Sequence, residues 1–67
     1  SPEKLDKENF LEIKSDIIEL LGQKESSSRT IIQDLPQNEL LILRVLQKLL
    51  EDGNISINSK NEYKLLR

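Results

Sequence analysis

Residues 35–66 read LPQNELLILRVLQKLLEDGNISINSKNEYKLL, and the spacing of their apolar positions changes once along the way. From Glu39 to Glu51 or Asp52 the spacing is helical, with Ile42, Val45, Leu46 and Leu49 along one stripe. Asn38 stands just before it as an N-cap, a residue type whose side-chain oxygen accepts from a first-turn N–H. Glu39 falls in the first turn, where the helix dipole is positive. Asp52-Gly53 ends the run. Beyond it the period becomes two: Ile55, Ile57, Tyr63 and Leu65 alternate with Asn54, Ser56, Asn58 and Lys64. Between the two halves lie the turn formers Asn58-Ser59-Lys60-Asn61. The stretch therefore predicts a helix over about 39–52 and a β-hairpin over about 54–66. A lone hairpin is marginal in water, so it must pack on helices. The competing reading, a plain helical bundle with a frayed tail, leaves the alternation on both sides of the turn unexplained.

Working back from Leu35, Pro36 closes a short second helix over about 28–35, because the residue before proline is pushed out of the α region. Ser27 or Ser28 is its N-cap, and Ile31, Ile32 and Leu35 its buried side. Only about three residues then separate it from the next helix. Gln23 to Ser28 is a polar linker. Before it, residues 9–21 form an amphipathic helix on Phe10, Ile13, Ile17, Leu20 and Leu21, with Leu11 and Ile18 widening the stripe. Gly22 stands where a C-cap glycine belongs. Residues 1–8 are expected to be a flexible lead-in, with Asp6 or Ser1-Pro2 as the alternative helix start. The expectation is one domain over 1–67, mainly α with a small β-hairpin.

Composition limits what such a domain can do. A chain of 67 residues is one domain at most. At that size only about 60% of the unfolded surface is buried, so the stability margin is thin. Cysteine and histidine are both absent, which removes disulfides and the usual zinc ligand sets. The core must come from thirteen Leu and eight Ile, with one Val, one Phe and one Tyr. No apolar run approaches the roughly 20 residues of a membrane span, and the polar start Ser1-Pro2-Glu3-Lys4 lacks a signal-peptide pattern. An intracellular location is expected. The missing initiator Met suggests a fragment of a longer protein.

The order helix, helix, tight turn, helix, hairpin, with Leu46-x-x-Leu49-x-x-x-Gly53-x-Ile55 leading into the hairpin, resembles the winged-helix superfamily. The return strand Tyr63-x-Leu65 resembles its wing. Asn38 lies fifteen residues before Gly53, where that family often has a Ser or Thr cap. The resemblance covers residues 10–66. It implies a winged-helix fold, and it is similar to terminal winged-helix modules of replication and transcription machinery. In DNA-binding members the outward face of the third helix enters the major groove. By that analogy Arg44, Gln47 and Lys48 would reach bases and phosphates, while Arg29, Lys60 and Lys64 would contact the backbone. Two leucines on the same face, Leu40 and Leu43, depart from the polar surface a groove reader carries. They are either core or an apolar patch for a protein partner.

Charge weighs against tight DNA binding. The formal net charge is −2, and duplex affinity comes largely from counterions released by several Lys and Arg. Catalysis is not expected: the serines Ser26, Ser27 and Ser28 lack a histidine base, and neither glycine sits in a phosphate-cradling loop. No metal, cofactor, small molecule or membrane is expected. The expected function is a non-catalytic interaction and regulatory module that takes a peptide or helix of a protein partner on Leu40, Leu43, Arg44 and Gln47. The alternative is an accessory module with weak duplex DNA binding. Self-association through the same helix shares the leucine evidence.

Overall fold

The computed structural model describes residues 5–66. Three helices, α1 (Lys7–Gln23), α2 (Ser28–Asp34) and α3 (Glu39–Glu51), are followed by an antiparallel hairpin of β1 (Ile55–Ile57) and β2 (Tyr63–Leu65). The architecture is mainly helical, with a two-stranded sheet. No helix among the described residues is long and apolar enough to cross a membrane.

Helix α1 departs from the sequence expectation at both ends. It starts two residues before the expected Asn9, at the alternative start near Asp6, which caps it: one carboxylate oxygen accepts from the N–H of Asn9 at 2.7 Å. Lys7 and Glu8 are therefore helical rather than part of a flexible lead-in, while the Ser1-Pro2 alternative lies outside the described residues. At the other end the helix runs through Gly22 to Gln23, so Gly22 is not a C-cap; Gly53 alone of the two glycines has positive φ. What ends α1 is a long-range pairing. Lys24 is extended, and Ser26 bridges Tyr63, its N–H donating at 3.2 Å and its C=O accepting at 2.7 Å. The expected polar linker thus lends an extended segment to the outer side of β2, and Ser26 is buried. A chain leaving a helix directly into extended backbone needs no left-handed cap.

Helix α2 is capped by Ser27, whose Oγ accepts from the N–H of Thr30 at 3.3 Å. It ends at Asp34, one residue short of expectation, because Leu35 adopts the extended conformation (φ −99°, ψ 145°) that Pro36 imposes. Helix α3 starts at the expected cap, with Asn38 Oδ1 accepting from the N–H groups of Leu40 and Leu41 at 2.8 and 3.4 Å. It closes with a Schellman pair: Asn54 N–H donates to Leu49 C=O at 2.9 Å and Gly53 N–H to Leu50 C=O at 3.1 Å. Gly53 takes φ 78° there, a conformation costly for any residue with a Cβ.

The core joins all the elements. Ile13, Ile17 and Leu21 of α1 meet Ile31 of α2, Leu41, Ile42, Val45, Leu46 and Leu49 of α3, and Ile55 of β1. Leu35, Leu50, Tyr63 and Leu65 pack around this cluster half-buried. Leu11 is exposed and does not widen the buried stripe of α1. Ile57 shares a strand face with the fully buried Ile55 yet is 46% exposed. A strand face is buried only as far as a helix covers it. The turn beyond is tied by Asn58: its Oδ1 accepts from the N–H of Lys60 and Glu62, and its Nδ2 donates to Glu25 at 2.7 Å. Asn61 supplies the positive φ (63°) that reverses the chain.

Candidate functional site

Helix α3 places its side chains in two opposed groups. At 3.6 residues per turn, positions 41, 42, 45, 46 and 49 face inward, and all five are buried. Positions 40, 43, 44, 47, 48 and 51 fall on the other side, and all six are exposed. The two readings left open for Leu40 and Leu43 are thereby separated. They are not core: Leu40 is 57% exposed and Leu43 38%. Leu41 is buried and Leu50 packs half-buried against the core, so the flanking leucines go inward while these two stay out.

The outward face is a ridge between two open grooves. On one side Arg44, Gln47, Lys48 and Glu51 face Leu5, Asp6, Lys7 and Phe10 of the α1 start, across a groove of about 400 Å³. On the other, Leu43 and Glu39 face Ser28, Arg29, Ile32 and Gln33 of α2, across about 360 Å³. The structure thus brings Arg29 beside Leu43, and groups Arg44, Gln47 and Lys48 together. Lys60, exposed at the hairpin turn, and Lys64, half-buried on β2, line neither groove. Sequence reasoning offered the first turn of α1 only as an alternative, through Asp6, and placed no site residue there. Phe10, expected in the apolar stripe of α1, packs half-buried against the core and also walls a groove with Leu5. Asp6, the alternative start, is the residue whose capping extends α1 back to this wall.

Charges on the ridge are mixed. Lys48 Nζ lies 3.9 Å from Asp52 in an exposed i,i+4 pair, a geometry that contributes little. Arg44 and Lys48 stand among Glu39, Glu51 and Asp52. No cluster of His, Cys, Asp and Glu able to hold a metal ion occurs among the described residues. The surface can thus offer apolar contact from Leu40 and Leu43, two cations and one amide. Compared with known proteins, the chain matches no family model, no curated protein and no solved structure.

Proposed function

We propose that this chain is a winged-helix module that docks a protein partner, a peptide or helix, on the outward face of α3. One observation carries the reading: Leu40 and Leu43 stand exposed one turn apart, with Arg44 and Gln47 beside them. Adjacent exposed leucines rimmed by polar groups favour protein contact over a phosphate-lined groove. The domain acts by binding and contributes no chemistry of its own. A photo-crosslinker at position 43 should give an adduct of discrete mass with a protein of the source cell. One at Glu19, exposed on α1, should not, and Leu40→Glu should erase the adduct. Equal labelling from both positions would end this reading.

The second reading, accessory duplex binding, is favoured by Arg44, Gln47 and Lys48 lying exposed on one groove wall. Its test is a titration with a short duplex at low salt, followed by amide shifts. Movement at residues 40–48 and 58–61 with submicromolar affinity would replace the protein-partner reading. Silence would remove the DNA reading.

A further inference from the structure

The ridge of α3 has a period of its own. Leu40, Leu43, Gln47 and Leu50 follow one another at intervals of three, four and three residues. That is the a and d spacing along which two helices pair. Leu40, Leu43 and Gln47 are exposed, and Leu50 is half-buried at the end of the row. Val45, in the f position directly behind the row, is fully buried, so the seam faces away from the core. The core already holds α3 in shape, so pairing along the seam carries no cost of helix formation.

Opposite charges flank the row. Glu39, in the g position, lines the groove toward α2, and Arg44, in the e position, lines the groove toward the start of α1. Neither side chain has a hydrogen bond or ion pair within the chain among the described residues. Between parallel paired helices, a g residue of one meets the e residue five positions further along the other, and such contacts choose the partner. Glu39 and Arg44 stand five positions apart.

We propose that two copies of this chain pair α3 with α3, parallel and in register, about a two-fold axis along the ridge. The proposal rests on the docking reading of this face and makes its partner a second copy. Leu40, Leu43 and Leu50 each meet their own image, and Glu39 of each copy meets Arg44 of the other. The same patch serves on both sides, as an isologous interface requires. Gln47 sets the direction. Against its own image, one amide donates to the oxygen of the other. In the antiparallel pair it would lie against Leu43, and Glu39 would lie beside Leu46, which is buried. A single polar a position selects register and orientation in this way. With only four side-chain layers the dimer is weak and forms at high concentration.

Sedimentation equilibrium from micromolar to millimolar concentration tests it. The chain should form a dimer that salt weakens. Arg44→Glu should weaken it roughly tenfold, because two attractive pairs become repulsive, and adding Glu39→Arg should restore it. Leu43→Glu should abolish it, with amide spectra showing the fold retained; if that variant unfolds, the charge-reversal pair decides. The chain has no cysteine, so Gln47→Cys reads the geometry. Oxidation should link two copies through position 47, while Leu11→Cys, exposed on α1, should stay unlinked. A chain that stays monomeric at millimolar concentration in low salt overturns the proposal. So does a dimer indifferent to Arg44→Glu, or one that Gln47→Cys leaves unlinked. A crosslinker at position 43 separates the two readings: in the purified chain, an adduct of twice its own mass supports self-pairing. An adduct with a different protein from a chain that stays monomeric overturns self-pairing and leaves the docking reading standing.

Discussion

The inner and outer faces of α3 are made from nearly the same material. Leu41, Leu46 and Leu49 are buried; Leu40 and Leu43, a few residues away on the same thirteen-residue helix, are open to solvent. Leucine therefore does not report burial here. Angle does, since each residue turns the helix by about 100°, and the inward sector is set by where α1, α2 and β1 lie. The inner face holds a small domain with a thin stability margin together, while the outer face contributes little to folding and is available for contact.

Substitutions can break this contrast or refine it. Leu46→Ala, at 1% exposure, should cost about 2–5 kcal/mol and lower the thermal midpoint by at least about 10 °C in calorimetry. A smaller loss would mean the inner face is loosely packed. Asn38→Ala removes the cap that starts both faces and should cost about 1 kcal/mol in urea unfolding. Leu43→Ala should change stability by no more than about 0.5 kcal/mol while removing the proposed partner contact. A cost like that of Leu46→Ala would make the outer face structural and dissolve the contrast. Lys48→Ala should be the mildest, about 0.3 kcal/mol by denaturant titration, because its ion pair with Asp52 is long and solvated.

Much of the fold was legible because it is written locally. Asn38 and Ser27 cap within three residues of themselves, Pro36 constrains its own neighbour, and Gly53 supplies a conformation other residues resist. The change of period after Gly53 located the hairpin for the same reason. Gly22 misled, because a glycine after an apolar stripe is a common terminator, whereas this helix ends where Ser26 reaches Tyr63, 37 positions along the chain. Ile57 shows a different limit. Alternation placed it correctly on the face of Ile55 but carried no information on how far the helices extend over that face.

The candidate surface divides along the same line. That Leu40, Leu43, Arg44, Gln47 and Lys48 share one side of a helix follows from their spacing alone. Whether the leucines were core did not, and both readings stood until the positions of α1 and α2 left that side uncovered. The sequence by itself determined the three helices, most of their caps, the hairpin and the lack of histidine or cysteine chemistry, because these depend on residues close in the chain. Tertiary structure alone decided which leucines are buried, that Phe10 and Leu5 wall a groove, and that Ser26 pairs with Tyr63 on one edge of the sheet. Those facts depend on distances between segments far apart in sequence, which no local period encodes.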